Sequence, residues 1–217
     1  TLSASSAASD VYKRQPFNLY IFVYNCNINN TLVNMEKFCK KLRYLFFISI
    51  FCTDVFSENT EIIVDISDQR LYLMINNKAV DSFPVSTSKY GEGSIENSFK
   101  TPLGLHEIKD KIGQDVPLNN IFVSRINTRR QAIIIDPPLD SEDDFVTSRI
   151  MWLDGMEEGV NRGPGIDSYD RYIYIHGTHE EGLIGQKASH GCIRMFNNDV
   201  IYIFNKVNKG TKVLIRA

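Results

Sequence analysis

Between residues 61 and 215 the chain is written in runs too short for ordinary helices. The stretches 61–66, 70–75 and 79–85 are rich in β-branched and aromatic residues. Ser67-Asp68-Gln69 and Asn76-Asn77-Lys78 divide them with turn formers. That spacing predicts a β-meander. Pro84 marks an edge position or a strand end, because proline has no N–H to give to a ladder. Further strands are expected at 105–108, 121–124, 131–135, 148–153, 171–175 and 212–215, with polar loops over 86–100 and 110–120. Helical period occurs once: Val200, Ile203, Phe204 and Val207 share a helical face, with Asn198 or Asp199 as the expected N-cap. The predicted fold is mainly β, with one short helix following Cys192.

The first 57 residues read differently. Residues 5–15 resemble a translated sequencing adapter and 16–34 translated AT-rich upstream DNA, so 1–34 is expected to be an artefact. Met35 opens a secretory signal over 35–57, with a basic head (Lys37, Lys40, Lys41, Arg43) and the apolar run 44–52. That run is far shorter than the roughly 20 residues a membrane-spanning helix needs. A lipoprotein signal with Cys52 lipidated is less suited, since bulky Phe51 precedes it. Cleavage after Ser57 leaves a single domain, 58–217, exported to the periplasm or cell envelope. Six of the 24 Lys and Arg and three of the 26 Asp and Glu precede Glu58, leaving 18 against 23, a net charge near −5. Such a balance gives no basic footprint for nucleic acid.

Three of the four cysteines, Cys26, Cys39 and Cys52, lie before that cleavage point. Cys192 alone remains, unable to form an internal disulfide and exposed to oxidation unless it is used. Its neighbourhood favours use. Ser189-His190-Gly191-Cys192-Ile193-Arg194-Met195 follows His176-Gly177-Thr178, with His176 sixteen residues before the cysteine. A free thiol, with a pKa of about 8.5, needs a base or positive neighbours to become a nucleophile. His176 can take its proton, and His190 and Arg194 can favour negative charge. Gly191 clears side-chain bulk so that the amides of Gly191 and Cys192 can meet an oxyanion, an effect of roughly 3 to 4 kcal/mol. The set His176, His179, His190 and Cys192 is also permitted for zinc in type, but its spacing lacks a paired metal motif. No metal or cofactor is expected. The carboxylates Asp140, Glu142, Asp143 and Asp144 lack calcium-loop spacing and are expected to be a solvated loop. His106 is expected to be a strand histidine facing solvent, and the glycine-rich stretch 154–167 either a lid or an ordinary connection.

With 174–178, Ile184-Gly185 and the 189–195 stretch in place, the chain resembles the L,D-transpeptidase (YkuD-type) catalytic domains of bacterial cell-wall enzymes. The resemblance extends to 63–66, 69–73, 83–87 and Thr101-Pro102-Leu103-Gly104. It implies a β-sandwich with a short helix, and a cysteine transpeptidase acting on peptidoglycan stem peptides. Cys192 would form a thioester with the third stem residue and expel the terminal D-alanine. An amine from another stem, or the lysine of a wall-anchored lipoprotein, would resolve it. His176 matches the family's base and Gly177 the carbonyl that orients it; His190 and Arg194 match substrate-site positions, with Ser189 and Gly191 shaping the turn. Lys187 departs from the small or proline residue expected before Ala188. Alternatives are a carboxypeptidase or amidase that uses water, and a non-catalytic wall-binding module.

Overall fold

The computed structural model describes residues 59–217. The expected signal 35–57 and the segment 1–34 lie outside the described residues. Ten strands are joined in one hydrogen-bonded sheet: β1 (Thr60–Asp65), β2 (Arg70–Ile75), β3 (Lys78–Pro84), β4 (Gly104–Ile112), β5 (Asn120–Val123), β6 (Ile126–Gln131), β7 (Val146–Gly155), β8 (Tyr174–Thr178), β9 (Ile193–Met195) and β10 (Lys212–Arg216). The described α-helix, α1 (Asn197–Lys206), follows β9 directly. The domain is therefore mainly β with one short helix, as its run lengths predict.

The meander β1-β2-β3 forms as expected, and Pro84 ends the edge strand β3. β1 pairs in parallel with β10, which pairs with β4. β7 is the branch point. One of its edges takes β4 and then β5, and the other takes β8, which pairs in parallel with β9. Alternation along β8 and β9 sends Ile175 and Ile193 into the main core, with Met151, Leu153 and the α1 residues Val200, Ile203 and Phe204. Residues at the intervening positions face the other way, and the site is built on that side.

Three boundaries depart from the sequence reading for identifiable reasons. β4 runs on to Ile112 because its far end pairs with β7, Lys111 opposite Met151 and Ile112 opposite Ile150; Lys111 Nζ also donates to the carbonyls of Phe204 and Val207, both at 2.6 Å, at the C-terminal end of α1. The strand expected at 131–135 instead ends at Gln131; Ile133 is 87% exposed, while Ile135 donates its amide to His179 O. α1 is capped neither by Asn198 nor by Asp199. Its first-turn amide, Asn197 N, is taken by the Glu181 carboxylate at 2.8 Å, supplied by a short 3-10 turn at Glu181–Leu183.

His106 also corrects its expectation. The connection carrying Ser168 covers the ring, which is 0% exposed, with Nδ1 3.0 Å from Gly104 O and Nε2 3.0 Å from Ser168 Oγ. Burial pushes its pKa down to about 4. The glycine-rich stretch is pinned to β4 by buried Asn161, which donates to Leu103 O and Leu105 O.

Candidate active site

β8 and β9 bring the sequence motif together. Their register sets Ile175 beside Ile193 and His176 beside Arg194, so Cys192 lies next to Tyr174 at the entry to β9. Tyr174, His176, Cys192 and Arg194 therefore share the sheet face opposite the main core, with His176 and Cys192 as diagonal neighbours. His176 is not the last residue of its strand: β8 starts at Tyr174 and continues through Thr178, leaving 171–173 outside it.

The sulfur has two polar contacts. Tyr174 N–H donates to Sγ at 3.4 Å, and the thiol donates to Tyr172 O at 3.3 Å. Burial pushes the thiol pKa up to about 12; the Tyr174 amide opposes that rise, Asp144 adds to it, and Arg194 and Arg171 oppose it. The imidazole of His176 is 2% exposed, and burial drives its pKa down to about 4. Its Nδ1 lies 2.8 Å from Gly177 O. A carbonyl only accepts, so Nδ1 carries the proton and Nε2 presents a lone pair. At rest both groups are neutral, and no hydrogen bond joins the ring to Sγ among the described residues.

Gly177 is required by crowding. A Cβ there would lie 2.5 Å from Asn197 Oδ1 and 2.8 Å from Thr147 O. Asn197 is a buried clamp: it accepts from the hydroxyls of Thr147 and Ser148 and donates to Thr178 O, each at 2.6 Å. It thereby ties α1 to β7 and to the end of β8. Ser148, at φ 60°, occupies the irregularity in β7 where this clamp fits.

Gly191 sits at φ 121°, a conformation that favours glycine, so the loop before Cys192 turns tightly. Its amide donates to Ser189 Oγ at 3.2 Å, and that hydroxyl donates to Cys192 O at 2.6 Å. Gly191 N–H is thus already engaged rather than open to an oxyanion. The loop is framed from outside by residues 86–89, with Ser86 and Arg194 exchanging backbone hydrogen bonds at 2.9 Å.

Arg194 is 1% exposed, which sets it behind the site rather than on its open surface. Nη1 donates to Glu180 Oε2 at 2.9 Å, and Nη2 is 2.7 Å from Asp144 Oδ1 in an ion pair off the N–H direction. His190, more open, has Nδ1 2.9 Å from the other oxygen of Asp144. Burial alone would raise the Asp144 carboxyl; Arg194 first, with His176 and His190, holds it below its usual value. The acidic segment is therefore not a free solvated loop. Lys89 pairs with Asp140 at 2.8 Å, and Ser141 bridges Glu180 and His179. Asp144, Glu180 and Arg171 were missed from sequence. Arg171 reaches the carbonyl of Lys100 at 2.7 Å, beside the loop that carries Cys192. Among the described residues, no cluster of three or more His, Cys, Asp or Glu has the geometry to hold a metal.

An aromatic wall flanks the sulfur. Trp152 stacks on Tyr169 with centroids 4.0 Å apart, meets Tyr174 edge-on at 5.4 Å and lies 5.6 Å from Tyr172.

The chain is similar to known proteins. A model of the L,D-transpeptidase catalytic domain, YkuD, matches residues 59–215. YbiS of Escherichia coli (strain K12), named as a probable L,D-transpeptidase, is 46% identical over 116 residues, covering 52% of this chain and 35% of its own. ErfK/SrfK of Salmonella typhimurium, named in the same way, is 28% identical over 156 residues, covering 71% and 43%. The chain thus spans well under half the length of these relatives. An L,D-transpeptidase structure from Mycobacterium smegmatis aligns with a TM-score of 0.44 at 15% identity, over 74% of this chain and 59% of that one. With the family match spanning most of the chain, from β1 to β10, the protein belongs to the L,D-transpeptidase (YkuD) catalytic domain family.

Proposed function

We propose that this domain is a cysteine acyltransferase of the peptidoglycan stem peptide, with Cys192 as nucleophile and His176 as general base. The observation that carries the reading is the fixed tautomer of His176. Nδ1–H is held by Gly177 O, so the Nε2 lone pair faces the sheet side that also bears Cys192.

Neither group is charged at rest, so the proton moves as the bond forms. The thiol proton passes to Nε2 while Sγ attacks the carbonyl carbon of the third stem residue. Tyr174 N–H, already directed at the sulfur, favours the negative charge that develops there. The tetrahedral intermediate then collapses, the C–N bond to the terminal D-alanine breaks, and that amine takes the proton from Nε2. A thioester on Cys192 remains. An incoming amine attacks it, loses a proton to His176, and the sulfur departs to regain that proton. Arg194, locked between Glu180 and Asp144, is a positioning residue. Through Asp144 it holds His190 over the site and keeps β9 in register. An exported location agrees with a wall substrate, and no helix among the described residues is long and apolar enough to cross a membrane.

Intact-mass measurement tests this directly. Incubation with a disaccharide tetrapeptide or a carbapenem is expected to add an acyl group to the unmodified protein and none to Cys192→Ala. An unchanged mass for the unmodified protein sinks the reading. Muropeptide analysis then separates the acceptors: 3-3 dimers for an amine acceptor, tripeptides for water.

A further inference from the structure

The turn between β5 and β6 holds two residues, Ser124 and Arg125, since Val123 pairs with Ile126. Both central residues have positive φ, 47° and 68°. Two-residue hairpin turns of this kind favour Asn-Gly, because a bulky side chain in the left-handed region is strained. Here the chain holds an arginine where glycine would be unstrained, and the side chain lies across the site. Its guanidinium carbon is 4.9 Å from the Trp152 ring centre and 5.0 Å from that of Tyr172, and Nη1 donates to Tyr174 Oη at 3.3 Å.

Tyr172 and Tyr174 are also the residues that contact the sulfur through their backbones. The guanidinium therefore stands one tyrosine side chain away from the nucleophile. Of three arginines around the sulfur, Arg194 is paired with Asp144 and Glu180, and Arg171 is bonded to the carbonyls of Lys100 and Gly93. Among the described residues no carboxylate lies within ion-pair distance of Arg125. Stacking on two rings fixes the plane of the fork while leaving N–H donors on its edge, an arrangement suited to a carboxylate.

We infer that Arg125 is a recognition residue for a carboxylate of the donor stem, held on its aromatic bed one side-chain length from Cys192. The inference rests on the stem-peptide reading above. Two carboxylates of such a donor fall within that reach: the terminal one of the departing D-residue, and the one at the far end of a diamino-acid side chain. Both present the same planar, singly charged two-oxygen edge to the fork, and they are distinguished by amidating each in turn.

Binding is measured on the Cys192→Ala protein by calorimetry, so turnover does not enter. The probes are an L-Ala-γ-D-Glu-diaminopimelyl-D-Ala tetrapeptide, its C-terminal amide, and its side-chain amide. Arg125→Gln is expected to weaken binding of the free acid by about 10- to 100-fold. It should have little effect on whichever amide has lost the recognised carboxylate. Arg125→Lys should restore part of the affinity, as a point charge without the fork. Equal weakening for all three peptides shows that Arg125 only packs the aromatic wall, and overturns the inference; so does no weakening, or no binding of any peptide when Arg125 is present. Acylation of the Cys192-containing protein is read separately by mass. The transpeptidase reading can thus stand when the Arg125 inference falls, and a failure to acylate counts against that reading alone.

Discussion

Two of the three buried histidines among the described residues, His106 and His176, have nearly identical chemistry and, in the proposed mechanism, different use. His106 in β4 and His176 in β8 are both almost fully enclosed, and burial lowers both to about 4. Each has Nδ1 against a backbone carbonyl, Gly104 O in one case and Gly177 O in the other, so each offers Nε2 as an acceptor. In His106 the Ser168 hydroxyl fills that position at 3.0 Å. In His176 no described residue fills it. A depressed pKa therefore does not single out the proposed base. The unfilled nitrogen does, along with a thiol two positions away on the neighbouring strand.

The comparison breaks most sharply through substitution. His176→Gln is expected to lower the rate of acyl-enzyme formation by about 10²- to 10⁴-fold. His106→Gln should lower stability and leave the rate per folded molecule unchanged. Time-resolved mass spectrometry beside a urea titration separates the two, and a similar rate loss in both variants would end the distinction. The next largest effect concerns the sulfur. With a thiol raised to about 12 and no ion pair at rest, iodoacetamide alkylation of Cys192 at pH 7 should run about 10- to 1000-fold slower than that of a free cysteine peptide. A rate plateau below pH 8 would instead reveal a standing thiolate.

Acid should weaken the two histidines together. Each has a folded pKa of about 4, below the 6.5 of the unfolded chain, so the unfolded chain takes up protons first as pH falls. The stability each contributes is complete above about pH 6.5 and is lost between there and about pH 4, roughly 3 kcal/mol apiece. Urea midpoints at pH 7.5 and 4.5 measure this. His106→Gln should remove a distinct part of the decline, the rest falling to His176 and to His179, which burial also lowers, and an unaltered slope would show that other groups cause it. The smallest effect is expected from Ser168→Ala, which leaves Nε2 of His106 buried without a partner at about 1 to 3 kcal/mol. Melting should move while acylation does not, making His106 resemble His176 without acquiring its chemistry.

The fold was legible where local signals coincide with tertiary demands. Run length and turn residues located the meander, β7 and the α1 face, and the spacing of His176 and Cys192 identified the pair that β8 and β9 align. The misses have a common physical origin, since each depends on a partner distant in sequence. Asp144 looks like one more surface acid until Arg194, fifty residues later, lies 2.7 Å away. His106 looks amphipathic until Ser168 covers it. The helix cap comes from Glu181, across the β9 connection, and no rule reading only 196–199 would find it. Arg125 was hidden by the opposite problem. Ser-Arg is a poor turn sequence, so the expected strand at 121–124 carries no hairpin signal at its end, and the residue that the strained turn presents goes unnoticed.

The parallel pairing of β1 with β10 gives the domain a mechanical character. Five register pairs, from Glu61 with Lys212 to Asp65 with Arg216, join the first described strand to the last. Parallel strands place the start of β1 and the end of β10 at opposite ends of that ladder. Tension applied between residues 60 and 216 therefore loads all five pairs at once in shear, whereas a pull on a hairpin such as β2–β3 opens one pair at a time.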